Sequence, residues 1–273
     1  MAFNKVAYPL IKKEWFKKVT PFFGVPMTIA LPSGTDILFH GIKAHDSEIR
    51  LSKFLTRELK PDAVFIDVGA HHGYYSLLAS TMVGRGGKVL AIEASQHSFD
   101  LLQQNTSGHN NIRIYHNAAG EETGEITFYE YPGPYAEYNT IIKGAYDHAK
   151  WKNKVKETVT RVNTITLEEI LNENKINQAV IKIDVEGGEY AVLKGMGQKL
   201  QQGTYTIIME YLYSEDSENT HHQAIYFLKQ NGYSCYYINV AGETEMIDRI
   251  DEYMVSKSFT SDNLVFRKSP PSL

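Results

Sequence analysis

Short apolar runs alternate with stretches of helical periodicity along most of this chain. The runs are 63–68, 88–93, 112–116, 179–185, 205–209, 234–240 and 263–267. Runs of this length are typical of strands in a parallel sheet that is covered on both faces. The predicted helices lie at 75–83, 95–105, 166–174, about 187–200 and 222–231. This alternation predicts an α/β fold with helices on both faces of a mostly parallel sheet.

The first 60 residues follow a different pattern, and we predict a cap or extension there. Residues 4–20 carry apolar side chains at helical spacing opposite several lysines, which predicts an amphipathic helix. Such a helix packs on its own domain, our preferred interpretation, or lies on an anionic membrane surface. A β-rich segment containing Ile37–Leu38–Phe39 and a helix over 46–59 follow. Residues 61–273 then form the main domain.

A long segment, residues 120–165, interrupts the alternation; we call it the insertion. It holds predicted strands around Ile126–Tyr131 and Thr158–Asn163, and long insertions often serve as lids. Its tyrosines include Tyr135 and Tyr138. Tyrosine stacks well on the apolar face of a sugar and keeps a hydroxyl for hydrogen bonding. The equally weighted alternative is a hairpin whose aromatic residues only pack.

The turn after the first parallel strand carries the clearest chemical pattern. Asp67 ends the strand, and Gly69 and Gly73 bracket a bend into the next helix. Glycine tolerates positive φ, and amides at such a turn bind anionic groups. Glu93 ends the second strand, 20 positions after Gly73. A carboxylate at about that offset reaches ribose hydroxyls. The spacing lacks Gly-x-Gly-x-x-Gly, which disfavours a dinucleotide site.

Composition narrows the class of protein further. The chain has 273 residues, 42% hydrophobic and 22% charged, as in ordinary globular proteins. A net charge of −4 disfavours general nucleic-acid binding. Cys235 is the single cysteine, which excludes an internal disulfide and fits a cytoplasmic location. Lys12, Lys13 and Glu14 interrupt any signal-peptide core, and no apolar run is long enough to span a bilayer.

Several motifs, spread over about residues 48–212, resemble those of the FkbM-type S-adenosylmethionine-dependent methyltransferases. They are Phe65–Ala70, Ile92–Glu93, Asn117–Ala119, Thr166–Leu167, Ile181–Gly187, Leu193–Gly195 and Met209–Glu210. The resemblance implies a Rossmann-like sheet of seven strands with an antiparallel last strand. It also implies S-adenosylmethionine as the methyl donor and a hydroxyl acceptor on a sugar or polyketide-type product.

The resemblance also implies roles for individual residues. Asp67, Gly69 and Gly73 would hold the methionine part of the cofactor, and Ala70 and His71 belong to the same site. Glu93 faces the ribose, Asn117 and Ala118 lie beside the adenine, and Asp184 completes the set. One position departs from the family, which usually has asparagine where this chain has His71. The first 45 residues and the insertion lie outside the resemblance.

The acceptor hydroxyl must be aligned and must lose its proton during the transfer. Asp184 is our first candidate for the general base, followed by Glu186 and His72. Glu210, Tyr135 and Tyr138 are candidates for contacts with the acceptor. Asp184, Glu186 and Glu210 could instead hold Mg²⁺ or Mn²⁺, which prefer oxygen ligands. Of these two roles for the carboxylates, we favour the general base over the metal ligand.

Two other functions stay open at this stage. One is a nicotinamide-dependent oxidoreductase on a related fold, against which the glycine spacing argues. The other is a non-catalytic protein that binds the cofactor or acts as a scaffold. Sugars, glycans and small metabolites all remain candidate acceptors.

Overall fold

The structure of the protein is a computed structural model that describes residues 14–214 and 219–268. Its strands are β1 Trp15–Val19, β2 Met27–Leu31, β3 Val64–Val68, β4 Lys88–Glu93, β5 Ile112–His116, β6 Ala118–Ala119, β7 Gly124–Glu130, β8 Thr158–Ile165, β9 Gln178–Ile183, β10 Thr204–Leu212, β11 Tyr233–Ile238, β12 Thr244–Met246 and β13 Ser261–Lys268. Its helices are α1 Thr35–His40, α2 Asp46–Glu58, α3 Tyr74–Val83, α4 Gln96–Thr106, α5 Leu167–Glu173, α6 Glu189–Lys194, α7 Lys199–Gln202, α8 Thr220–Gln230 and α9 Ile250–Lys257. Single 3₁₀ turns span Gly133–Tyr138 and Lys152–Lys154.

The main sheet confirms the predicted Rossmann-like methyltransferase fold. Within the described residues it has eight strands in the order β12-β11-β13-β10-β9-β3-β4-β5. Strands β5, β4, β3, β9 and β10 run parallel, and β13 pairs antiparallel with both β10 and β11. The last strand along the chain is therefore antiparallel, as predicted. The short edge strand β12 adds one more than the seven expected.

Both faces of the sheet are covered, as the apolar runs predicted. Successive residues of a strand point to opposite faces, so β3 contributes to two separate cores. Phe65 packs with residues of α2 and α3, including Leu51, Leu55, Leu77 and Leu78. Ile66 and Val68 pack with residues of α5 and α8, including Leu167, Ile170 and Leu228. The site at the end of β3 therefore stands on a strand that is fixed from both sides.

The predicted N-terminal helix is wrong where the structure describes it. Residues Trp15–Val19 form strand β1, which pairs antiparallel with β2; residues 4–13 lie outside the described residues. Ile37–Leu38–Phe39 lies in helix α1, not in a strand, and Gly41 at φ +69° ends that helix. Pairing with β2 makes residues 15–19 a strand despite their helical periodicity. In the second segment, the glycine at position 41 ends a short helix. The helix predicted over 46–59 is confirmed as α2.

Two further segments differ from the prediction. The helix expected to run to about Leu200 is divided into α6 and α7, because the chain turns at Gly195–Met196–Gly197 with Gly197 at φ +50°. Helix α9 and strand β12 were not predicted. The insertion does contain the two predicted strands, β7 and β8, which pair antiparallel, and β6 joins them in a small separate sheet.

None of the helices in residues 14–214 and 219–268 has the length and hydropathy of a membrane span.

Candidate functional site

A cavity of about 510 Å³ opens at the carboxyl ends of the central strands. This is where open α/β sheets bind their ligands. The turn after β3, which we call the cofactor loop (residues 67–73), forms one side together with Glu93 and 117–119. The turn after β9, the acceptor loop (residues 184–188), forms the other side with Glu210. Residues 33–48 and 136–141 close the cavity from the N-terminal segment and the insertion.

The cofactor loop is shaped mainly by contacts within the protein. Gly69 has φ +79°, and a Cβ atom built there would lie 1.8 Å from the backbone oxygen of Asp184. The amides of Gly69 and Ala70 both donate to the Ile92 carbonyl at 3.0 Å. These two amides are therefore engaged inside the protein, and the predicted use of them for an anionic ligand is not supported. Glycine is required here by the close approach of two loops.

Glu93 stabilises the cofactor side of the cavity by accepting hydrogen bonds from backbone amides. Its carboxylate accepts from the His71 amide at 2.7 Å and from the Ser95 amide at 2.9 Å. Burial raises the pKa of Glu93 to about 7, against the lowering effect of those two amides. A carboxylate has lone pairs for further hydrogen bonds. Glu93 can therefore keep its place in the loop and still accept from a ligand.

Three buried polar atoms lining this region have no hydrogen-bond partner among the described residues. They are Asp67 Oδ1, His71 Nε2 and His72 Nε2. The two imidazoles stack with ring centroids 3.6 Å apart. Burial, with Lys43, lowers the pKa of His71 to about 3, and burial also lowers that of His72, so both rings are neutral. Buried polar atoms are usually hydrogen-bonded, so these three atoms are available to a ligand.

S-adenosylmethionine fits the groups on this side of the cavity. Asp67 offers an unpaired carboxylate oxygen, and Glu93 offers acceptor capacity for ribose hydroxyls. Asn117, Ala118 and Ala119 line the adjoining wall, where the adenine is expected. Gly73, with φ +87°, lies against Leu102 instead of facing the cavity, and its role is to start α3.

The acceptor loop is held by charged side chains. The Lys182 ammonium, on a side chain almost fully buried, lies 2.8 Å from Asp184 Oδ2. Burial raises the pKa of Asp184, but Lys182 and Lys43 outweigh it and hold that pKa below its usual value. Lys43 also pairs with Glu48 at 3.1 Å, and Glu48 accepts from the Tyr75 hydroxyl at 2.7 Å. Asp184 is therefore ionised and already engaged.

Asp184, Glu186 and Glu210 come together at the cavity, as predicted. One carboxylate oxygen from each lies within 4.8 Å of the others. Strand β9 ends at Ile183, and Glu186 sits in a turn at φ +50°, so the turn and not a continuing strand brings these groups together. Burial and then Asp184 raise the pKa of Glu186 to about 8, and burial raises the pKa of Glu210 well above its usual value.

These three carboxyl groups have the chemistry of a site for Mg²⁺ or Mn²⁺. Two protein donors already engage them, however. Lys182 neutralises Asp184, and the Tyr146 hydroxyl donates to Glu186 Oε2 at 2.5 Å. The three carboxyl groups are thus arranged more like a cluster for proton transfer than like free metal ligands.

The predicted acceptor-side tyrosines fall in two different places. Tyr138 lines the cavity. Tyr135 stacks on Trp151 with ring centroids 4.6 Å apart and is not among the lining residues. Both interpretations of the insertion therefore hold in part, because its aromatic residues pack on one another while one of them faces the cavity.

Several site residues were missed by the sequence analysis. They are Lys43, Glu48, Glu137, Tyr146 and Lys182. A lysine in the middle of a buried strand, two positions before Asp184, was a usable signal for Lys182. The others come from outside the motifs, and nothing local marks them.

Comparison with known proteins decides the family. The family described as the methyltransferase FkbM domain matches residues 67–235, more than half of the chain. The chain belongs to the FkbM methyltransferase family. This membership argues against the alternative of a nicotinamide-dependent oxidoreductase on a related fold.

One curated relative shares part of its sequence with this chain. The hexuronic acid methyltransferase AglP of Haloferax volcanii is 28% identical to this chain over 159 residues. The alignment covers 57% of this chain and 59% of that relative. This FkbM protein thus spans somewhat more than half the length of AglP.

Solved structures with similar folds include two methyltransferases. The FkbM methyltransferase of Methylobacillus flagellatus has a TM-score of 0.44 and 16% identity, over 76% of this chain and 44% of that one. A S-adenosylmethionine-dependent O-methyltransferase of Thermotoga maritima has a TM-score of 0.45 and 12% identity, over 94% of this chain and 79% of that one.

Proposed function

We propose that this FkbM protein transfers the methyl group to a hydroxyl of a sugar, a glycan or a glycosylated metabolite. The observation that carries this proposal is the group of three carboxyls at the cavity, beside the cofactor loop. A hydroxyl is a weak nucleophile until it loses its proton, so O-methylation requires a proton acceptor next to the methyl donor. The name of the relative from Haloferax volcanii supports a sugar-type acceptor.

Glu186 is the best-suited proton acceptor of the three. Asp184, our first candidate from sequence, is ionised and paired with Lys182, so it has little tendency to take a proton. A base works best with a pKa near the working pH, and the pKa of Glu186 is about 8. We assign Asp184 and Lys182 to fixing the acceptor loop, and His72 stays a cofactor-side candidate for the base.

The cofactor, when bound, supplies an already activated methyl group. The remaining work of the protein is alignment of the hydroxyl and exclusion of water. The proposed cofactor side is formed by Asp67, Gly69, Ala70, His71, Glu93, Asn117 and Ala118, and Asp184 adjoins it from the acceptor loop. Glu210 and Tyr138 lie on the opposite side, where an acceptor would contact them.

The parts outside the family motifs enclose this site. We propose residues 1–60 as an N-terminal cap, 61–273 as the methyltransferase domain, and the insertion at 120–165 as a lid over the acceptor. Asp36, Lys43 and Glu48 of the cap line the cavity, as do Glu137 and Tyr138 of the insertion. The described part of the cap also shares a core with the sheet through Met27, Ile29 and Leu51.

The first experiment separates binding from chemistry. Isothermal titration calorimetry with S-adenosylmethionine and S-adenosylhomocysteine measures the cofactor site, and turnover on a panel of neutral and acidic sugars measures methyl transfer. Glu186→Gln is expected to lower kcat by about 10²–10⁴-fold, the usual value of a general base, while cofactor affinity is unchanged. Cofactor binding without turnover of any acceptor would instead favour the non-catalytic alternative.

Two controls make the assignment specific. Glu173→Gln changes an exposed carboxylate of α5 that pairs with Arg113 and should leave kcat unchanged. In the wild type, kcat should rise with pH and reach half of its maximum near pH 8, because Glu186 must lose its proton. If Glu186→Gln turns over normally while Asp184→Asn does not, Asp184 is the base.

A further inference from the structure

The insertion meets the acceptor loop through three contacts that fall on two adjacent residues. The Tyr146 hydroxyl donates to Glu186 Oε2 at 2.5 Å, and Thr140 Oγ1 donates to the Glu186 carbonyl at 2.7 Å. The Ile142 side chain covers Gly187, where an added Cβ atom would lie 2.6 Å from Ile142 Cδ1. One hydroxyl therefore fixes the side chain of Glu186, and a second fixes its backbone.

Glu186 has a backbone conformation that requires such support. Its φ of +50° lies in the left-handed region, which a residue with a side chain adopts at a cost of about 1–2 kcal/mol. Conformations of this kind persist where the surroundings hold them, and they are common at functional sites. The contacts from Tyr146 and Thr140 supply that support on the side facing the insertion.

Trp151 determines where Tyr146 lies. The rings of four tyrosines contact the indole of Trp151: Tyr131 at 5.2 Å, Tyr135 at 4.6 Å, Tyr138 at 5.0 Å and Tyr146 at 5.6 Å. Tyr138 also packs against Tyr146 at 5.2 Å and lines the cavity. The aromatic cluster thus joins the cavity wall to the hydroxyl that holds Glu186.

The electrostatic surroundings of Glu186 give this hydroxyl a specific effect. Asp184 and Glu189 face Glu186 from its own segment, Glu210 from β10 and Glu137 from the insertion, and all of them are acidic. Lys182 acts through Asp184. Burial and Glu186 raise the pKa of Tyr146, so the phenol keeps its proton and remains a donor. Its hydrogen bond lowers the pKa of Glu186 against the effect of burial.

We propose that Tyr146 is a positioning residue: it closes the insertion over the acceptor side of the cavity and orients the Glu186 carboxyl toward the acceptor hydroxyl. The part of this proposal that concerns the acceptor rests on the proposed function, whereas the contact itself does not. Trp151 and Thr140 support the closed arrangement. The site for the acceptor is therefore completed by a segment that the family motifs do not include.

The test uses two single-atom changes in the full-length protein. Tyr146→Phe removes one hydroxyl and keeps the ring that packs on Trp151. Tyr237→Phe is the matched control, because Tyr237 also donates to a carboxylate, that of Glu245, in the β11–β12 pair away from the cavity. Both variants should fold and bind S-adenosylmethionine as the wild type does.

The first readout does not depend on methyl transfer. In Tyr146→Phe, hydrogen exchange at the amides of the acceptor loop should become faster than in the wild type, because one of its contacts with the insertion is lost. Hydrogen exchange at residues 131–157 should become faster in Tyr146→Phe and stay unchanged in Tyr237→Phe. If neither measurement changes, the proposed positioning role is wrong, whatever the enzyme methylates.

The second readout uses turnover once an acceptor is found. Tyr146→Phe should lower kcat while the KM for S-adenosylmethionine stays unchanged, and Tyr237→Phe should change neither. A merely structural role would lower the amount of folded enzyme without lowering kcat per folded molecule. A normal kcat would overturn the orienting role, even if hydrogen exchange shows the contact.

Discussion

The two sides of the cavity are held in place by different kinds of interaction. On the cofactor side, Glu93 accepts from two backbone amides, and the amides of Gly69 and Ala70 bond to the Ile92 carbonyl. On the acceptor side, Asp184 and Glu186 are held by the side chains of Lys182 and Tyr146. Backbone contacts keep one geometry whatever the side chains are, whereas side-chain contacts change with the sequence.

The two sides of the cavity also differ in where their residues lie along the chain. The cofactor side comes from three consecutive strands, β3, β4 and β5, and the turns that follow them. The acceptor side combines the turn after β9 with the N-terminal segment and the insertion, which lie far from it in sequence. The proposed cofactor side is therefore built from neighbouring parts of the chain, and the proposed acceptor side is assembled only in the folded protein.

The largest expected effect comes from the residue at which the two sides touch. Gly69→Ala places a methyl group 1.8 Å from the Asp184 carbonyl oxygen and adds the strain of φ +79°. The strain alone costs about 1–2 kcal/mol, and the overlap must also displace the acceptor loop. We expect a loss of stability well beyond that of the strain, together with weak cofactor binding, measured by urea unfolding and calorimetry.

Gly232→Ala is the matched control for this change. Gly232 has φ +81°, and among the described residues no atom lies within 4 Å of an added Cβ. It therefore reports the strain alone, about 1–2 kcal/mol. Equal losses in the two variants would show that the contact between the loops contributes nothing.

Removing the carboxylate of Glu93 should affect the cofactor side alone. Glu93→Ala is expected to weaken S-adenosylmethionine binding by about 10–100-fold, since a hydrogen bond to a charged group contributes about 1.5–3 kcal/mol. Calorimetry gives the affinity, and kcat at saturating cofactor should stay close to that of the wild type. A fall in kcat at saturation would show that the two sides are coupled.

The smallest effect is expected at the position where this chain departs from its family. In His71→Asn the backbone amide, which donates to Glu93, is retained, and asparagine tolerates the φ of +50° well. Cofactor affinity should therefore change by less than about threefold, or about 0.7 kcal/mol. A larger loss would show that the unpaired Nε2 atom of His71 contacts the cofactor directly.

The sequence predicted the parts of this enzyme that depend on local rules. The apolar runs located the central strands, and Lys88–Glu93 and Ile112–His116 match the observed strands to the residue. A carboxylate at the end of a parallel strand lies at the binding edge whatever the rest of the chain does. Asp67, Glu93 and Asp184 were therefore placed correctly beside one cavity.

The sequence did not predict the acceptor side, because long-range contacts decide it. No periodicity links Tyr146 to Glu186, which are 40 positions apart, or Lys43 to Glu48 and Tyr75. Strand β1 was mistaken for a helix because its partner β2 is fixed only in the folded protein. The pKa of Glu186 depends on burial and on Asp184, so our proposed general base changes from Asp184 to Glu186 only once the tertiary structure is considered.

The amino-acid sequence by itself thus determined the sheet, the family and the cofactor side, since each follows from hydrophobic periodicity and short motifs. The tertiary structure decided that Lys182 pairs with Asp184 and that the Tyr146 hydroxyl holds Glu186. It also decided which segments close the cavity. The physical reason is that burial and charge pairing depend on distances between residues far apart in the chain, and only folding sets those distances.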